Sequence, residues 1–286
     1  MKGLALFVVV SVLAGCAQAP KSTVAAVQAA AMEANRRGET YVRHGELENA
    51  ARSYTEALRL SQSLEDVEGI AANAISLSIV RQRQGRFADA RASLGVILNQ
   101  PDLRFAAAHL AEAELRHAVL DLDEGRFSRA EDRAMRAASH CAERCAASGA
   151  IHNVRAQLAL QADRLDAAAS SARSAHDAAR AAGDKAELAN ALRLLGVVAL
   201  RAGDAARARA SLEQALALDR ELGFPRKIAL DLLALGRAAA LAGEREAARA
   251  YYARALAVSE ADRDRIGAAQ AQAALDAMDK AAATGK

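Results

Sequence analysis

The sequence contains no tryptophan and only five phenylalanines and four tyrosines. Without large rings to fill space, an interior has to be closed by small side chains, and alanine recurs along the whole chain. Such a composition is helical, with helices that touch closely through small residues. Proline occurs three times, so little interrupts helical patterning. Past Leu13 no run of β-branched residues alternates with polar ones, which removes the strand signal. The fold class is therefore all-α. The formal net charge is only +3, and one charge fewer once Lys2 leaves with a cleaved leader. With no block of Lys or Arg and no aromatic-basic interleaving, this excludes a nucleic-acid partner. No second apolar span follows Leu13, so nothing later in the chain would cross a membrane.

What is present begins at the N-terminus. Lys2 precedes an apolar run from Leu4 to Leu13, which leads into Leu13-Ala14-Gly15-Cys16. A run of about ten residues is too short for a helix crossing ~30 Å of hydrocarbon and fits the core of a signal peptide. An uncleaved anchor or a chance apolar start are the alternatives. Positive start, apolar core and small-small-Cys in that order resemble the bacterial lipoprotein family over roughly the first twenty residues. The resemblance implies a diacylglycerol thioether on Cys16, removal of residues 1–15 and usually acylation of the new N-terminus. Several chains anchor stably where one is marginal, at about 0.8 kcal/mol per buried methylene. The family retains proteins in the inner membrane with an Asp at the second mature position, where this chain has Ala17. The implied address is the outer membrane, lipid-anchored and facing the periplasm.

The mature part, about 270 residues, is long for one packed core and ordinary for an elongated array. Internal similarity supports an array. A Gly, or once Asp163, is followed two residues on by an apolar or small residue, except at Arg245, and three later by Ala, at Gly45-Leu47-Ala50, Gly85-Phe87-Ala90, Gly125-Phe127-Ala130, Asp163-Leu165-Ala168, Gly203-Ala205-Ala208 and Gly243-Arg245-Ala248. The period is 40 residues except for one step of 38. Seven residues before each turn the side chain is always small: Gly38, Ser78, Ala118, Ala156, Gly196 and Gly236. Nine residues after each turn start stand Tyr54, Leu94, Ala134, Ala172, Leu212 and Tyr252, followed three later by Ala57, Ile97, Ala137, Ala175, Ala215 and Ala255. These form one buried helical stripe. Each repeat is thus a helix, a tight turn at a residue tolerating positive φ, and an antiparallel second helix.

From about Ala25 to Ala261 this pattern resembles the tetratricopeptide repeat, which has the same small residue, turn Gly and Ala, aromatic, Ala series. It departs in its longer repeat, in Asp163 at a turn, in the missing Trp, and in Ala at the aromatic position of the third and fourth repeats. The resemblance implies a right-handed α-solenoid of about six repeats, each stabilised by stacking on its neighbours. Residues 1–15 read as signal peptide, 16–22 as lipidated tether, 23–264 as six repeats and 265–286 as a capping helix and tail. A tether of about six residues reaches roughly 20 Å at ~3.3–3.6 Å per residue, which keeps the array near the bilayer.

Chemistry-bearing residues are few. Cys141 and Cys145 remain once Cys16 is lipidated. In a regular helix their Cβ atoms would be ~5–6 Å apart, too far for a disulfide, but Cys141 shares its repeat offset with Pro101 and lies at the shortened step, as in an inter-repeat loop. A disulfide is expected there. Free thiols, or a redox- or metal-responsive site made with His140, are the alternatives, although the usual Cys-x-x-Cys-His order is missing. Glu114 and His117 are one carboxylate-His pair at helical spacing without a matching second pair, so no metal is expected. No nucleophile elbow or phosphate-binding Gly loop is present; no catalytic residue and no cofactor are assigned.

In the resembled family the first helix of each repeat lines the concave face that receives a partner. Its equivalents here include Asn35, Arg43, Arg83, Asn153, Arg193, Arg201 and Arg237, with Asp123 interrupting the arginine row and Ile79, Val119 and Val197 between them. That mixture of apolar and basic groups suits an amphipathic or acidic peptide; the alternative is that the arginines only solvate a helix face. The expected function is a noncatalytic interaction scaffold in the bacterial envelope, binding an envelope protein or peptide and assisting assembly of a pilus, secretion system, outer-membrane barrel or peptidoglycan machine.

Overall fold

A computed structural model describes residues 23–141 and 145–283. Residues 1–22, which the sequence assigns to a signal peptide and a tether beginning at Cys16, lie outside the described residues. Thirteen α-helices and no strands are found among those described. They form six antiparallel hairpins: α1 (Thr23–Arg43) with α2 (Leu47–Gln62), α3 (Val67–Arg83) with α4 (Phe87–Leu98), α5 (Ala107–Asp123) with α6 (Phe127–His140), α7 (Ser148–Gln161) with α8 (Leu165–Ala182), α9 (Lys185–Arg201) with α10 (Ala205–Leu222), and α11 (Pro225–Leu241) with α12 (Arg245–Ala261). A last helix, α13 (Arg265–Ala283), packs on α12 and α11. No described helix is long and apolar enough to cross a membrane.

Each hairpin turns where the chain enters the left-handed region. Gly45, Gly85, Gly125, Gly203 and Gly243 have φ between +71° and +78° there. Asp163 takes the same role at φ +55°, because Asp is one of the few residues with a side chain that tolerate this region. The small residue before the turn and the stripe residue after it meet face to face. A Cβ on Gly38 would lie 2.8 Å from the Tyr54 ring, one on Gly196 2.5 Å from Leu212 Cγ, and one on Gly236 inside the Tyr252 ring. The volumes of the two positions compensate: Gly stands with Tyr or Leu, Ser78 with Leu94, and Ala118 and Ala156 with Ala134 and Ala172, all of them buried.

The hairpins stack into a solenoid whose curvature can be read from which helices touch. Every odd-numbered helix contacts the next odd one, from α1 through to α13, whereas no even helix contacts the next even one. The odd helices therefore line the inner, concave side and the even helices the outer. At the C-terminal end α13 carries Gln272, Asp276 and Asp279 at the repeat positions of Leu232, Gly236 and Ala239 in α11. Gln272 bonds Asp276 at 2.7 Å and Asp279 pairs with Arg249. Polar groups thus occupy the face on which α11 receives α12, while Leu275 and Met278 on α13 pack toward the core. Ile266, near the start of α13, is exposed.

Candidate functional site: the concave face

The odd helices present an apolar band along the middle of the concave face. Ile75 and Ile79 on α3, Val119 and Leu122 on α5, and Val197 and Leu200 on α9 are half-buried. All but Ile79 lean on the hydrophobic core clusters beneath them, and each of the six leaves one side open.

The polar residues assigned to this face divide into two groups. One group locks neighbouring repeats together. Asn35 donates to Asn73 Oδ1 at 2.8 Å, joining α1 to α3. Asn153 donates to the backbone oxygen and Oε2 of Glu187 at 3.0 and 2.7 Å, joining α7 to α9. Arg201 donates from Nη1 to the Leu160 backbone oxygen at 2.7 Å and to Asp163 Oδ1 at 3.2 Å, so it adds a second bond to a carbonyl that the Asp163 N–H already engages and braces the turn that lacks glycine. Gln82 reaches Asp123 Oδ2 at 2.6 Å, which engages the one acidic member of the arginine row.

Arg193 is the most committed of this group. Its Nε donates to Asp231 Oδ1 at 2.6 Å on α11, Nη1 to Asn190 Oδ1 at 3.1 Å, and Nη2 to Asp219 Oδ2 on α10. Both carboxylates are fully buried, and Asp219 Oδ1 and Asp231 Oδ2 have no partner. Burial pushes the Asp231 carboxyl well above its ordinary value, against the pull of Arg193, and the neighbouring Asp219 pushes it the same way. Lys227, lying over the Phe224 ring, is lowered by its own burial despite the attraction of Asp219. This cluster holds α9, α10 and α11 in register; Arg193 has no guanidinium edge left for a partner.

The second group is open. Arg43, Arg83 and Arg237 are exposed; Arg43 donates to Thr40 Oγ1 at 3.0 Å on its own helix. Neither Arg83 nor Arg237 bonds or pairs with another described residue. Within the row two residues before the turn, the sequence does not separate the bonded Arg201 from the open Arg43 and Arg83.

Away from this face, Cys141 and Cys145 are joined, with Cα atoms 5.3 Å apart. α6 ends at His140 and Cys141 is extended, with φ −89° and ψ 109°, which carries the pair out of helical geometry. Glu114 bonds Arg133 at 2.7 Å instead of turning to His117. Among the described residues no three His, Cys, Asp or Glu side chains lie close enough to hold a metal ion.

With this geometry in place, comparison with known proteins is informative. Residues 187–261, which run from α9 to the end of α12, match the tetratricopeptide repeat family model. A sequence search of curated proteins gives no match. Among solved structures, BtubC from P. vanneervenii is 22% identical with a TM-score of 0.56, covering 84% of this chain and 93% of that one. Pseudomonas aeruginosa pilF is 20% identical at a TM-score of 0.50, over 72% of this chain and 90% of that one. A Rap protein complexed with competence and sporulation factor is 14% identical at a TM-score of 0.61, over 88% of this chain and 71% of that one. The chain is thus an all-α solenoid that matches the tetratricopeptide repeat over α9–α12 and is similar in fold to repeat proteins along most of its length.

Proposed function

We propose that this protein is a noncatalytic interaction scaffold, held to the bacterial outer membrane by lipid on Cys16, that receives an acidic or amphipathic segment of an envelope protein on its concave face. The observation that carries this reading is the half-open apolar band of Ile75, Ile79, Val119, Leu122, Val197 and Leu200, flanked by the exposed arginines Arg43, Arg83 and Arg237. A helix or extended segment laid along such a face buries apolar side chains on the band and sets its register by charge. The likeness to a Rap protein complexed with competence and sporulation factor supports a receptor role. The disulfide Cys141–Cys145 fits an oxidising compartment such as the periplasm.

Two experiments test it. Reversal of Arg43, Arg83 and Arg237 to Glu is expected to abolish crosslinking of a partner to photoreactive groups placed at Ile79 and Val197. Helical content by circular dichroism should be unchanged, because no bond between repeats uses these three side chains. Each exposed charge contributes only ~0.2–1 kcal/mol per pair, so all three are reversed together. Equal crosslinking in the reversed protein would move the partner site off this face. For the anchor, Cys16→Ser is expected to shift the protein from the membrane to the soluble fraction, as no described helix could hold it there. Retention through a high-salt wash would refute lipid as the attachment.

A further inference from the structure

On the outer side of the solenoid, between α4 and α6, lies a cleft of about 510 Å3. It opens because α4, with 12 residues, is the shortest described helix and does not touch α6. α5 forms its floor. Its walls carry Arg91, Gly95, Val96 and Leu98 from α4, Asn99 and Gln100 from the segment that follows, His117 from α5 and Arg133 from α6. The ionisable groups lining it are two arginines and a histidine, with no carboxylate among them. Gly95 leaves one wall bare; a Cβ there would meet only the Asn99 amide, at 3.1 Å.

The His117 side chain is the second observation. The residue is 8% exposed, faces this cleft, and makes no hydrogen bond to a described residue. Every ring carries at least one N–H able to donate, and no described residue accepts one from His117. Burial, followed by the charge of Arg133, pushes its pKa down to about 4, so the ring is uncharged near neutral pH. The surrounding carboxylates lie behind the arginines. Glu114 bonds Nη1 of Arg133, with Arg136 at 4.0 Å, while Asp121 and Glu124 pair with Arg91 and Arg126. Carboxylates so placed orient the guanidinium groups, and a guanidinium has five donors, of which the bond to Glu114 engages only Nη1 of Arg133.

We propose that this cleft is a binding site for a small oxyanion, a carboxylate or phosphate group on a small molecule, held between Arg91 and Arg133 with the His117 ring donating to it. The amides of Asn99 and Gln100 supply further donors, and Val96 and Leu98 accommodate a short apolar portion. The site is independent of the concave face and of any partner there.

The test is nuclear magnetic resonance of the purified full chain in detergent, following its six histidine rings and assigning His117 by His117→Phe. Inorganic phosphate and succinate are titrated separately, with sodium chloride at matched ionic strength as control. A saturable shift of the His117 ring alone, with its titration midpoint rising as the anion binds, is the expected result; the anion that saturates at lower concentration identifies the phosphoryl or carboxylate source. Arg133→Gln removes a charge-assisted bond and should weaken binding about tenfold or more. Because that variant leaves Glu114 unpaired, Gly95→Leu provides an independent check that fills the cleft and leaves every charge in place. It should abolish the shift. No saturable shift with either anion beyond the chloride control, or unchanged binding in Gly95→Leu, overturns the site.

Discussion

Arg193→Met should cost about 3–5 kcal/mol, the largest single-site loss expected in this molecule, because it leaves Asp219 and Asp231 buried without their shared cation. The loss should be local. Repeats are stabilised mainly by neighbours, so amide exchange is expected to accelerate in α9, α10 and α11 ahead of α1 to α4. Methionine retains most of the arginine stem's packing, which confines the effect to charge. Adding Asp219→Ala and Asp231→Ala should then recover most of the stability, since removing a whole buried ion cluster is often neutral where breaking it is not. If the triple variant is as unstable in urea as Arg193→Met alone, the cost lies in packing.

The same cluster gives the protein a pH dependence of known sign. The Asp231 carboxyl is raised in the folded protein, first by burial and then by Asp219, so the folded state binds more protons than the unfolded one above the ordinary carboxylate range. Stability contributed by this group is full below that range and is lost as pH rises through the raised value. In Arg193→Met loss of the cation makes protonation of Asp231 still more favourable. Its destabilisation should consequently be smaller in mildly acidic than in mildly alkaline buffer, and a pH-independent difference from wild type would show that Asp231 carries no such linkage.

The fold was legible in the sequence because an array repeats its instructions. The turn residue, the small residue before it and the stripe after it each recur six times, and Asp163, the one turn residue that is not glycine, proved to share the left-handed backbone of the other five. The concave residues were legible only by offset. Arg201 occupies the same row as the open Arg43 and Arg83, while Asn35, Asn153 and Arg193 share a second row with apolar residues, yet each of the four bonds a neighbouring helix. Their partners on other helices lie 26 to 41 residues away along the chain, and no single-repeat pattern records them. A periodic reading treats Arg201 and Arg83 as equivalents. The structure separates them because Asp163 and the Leu160 carbonyl stand within reach of one, whereas no described residue bonds the other. The cleft over His117 escaped for a related reason: it arises from the shortness of α4, a departure from the repeat.

Volume compensation between the two positions that meet at each hairpin supplies the last prediction. Gly236→Ala places a methyl group inside the space of the Tyr252 ring, with the backbone of α11 and α12 fixed by contacts along their whole lengths. Overpacking of this kind costs about 1–3 kcal/mol, and Gly236→Leu should fall at or beyond the upper end. Tyr252→Leu alone should also destabilise, by leaving space where the ring was. Combined, Gly236→Ala and Tyr252→Leu bring the pair close to Ser78 with Leu94, which the second hairpin already accommodates with both residues buried. The double variant should therefore be more stable than the two single losses added together, with a coupling of at least about 0.5 kcal/mol in a double-mutant cycle. Simple additivity would mean that α11 and α12 relax apart independently at this contact. In that event close approach at the small residue would not be what fixes the hairpin, and the recurrence of Gly, Ser and Ala at this offset would need a cause other than the side chain opposite.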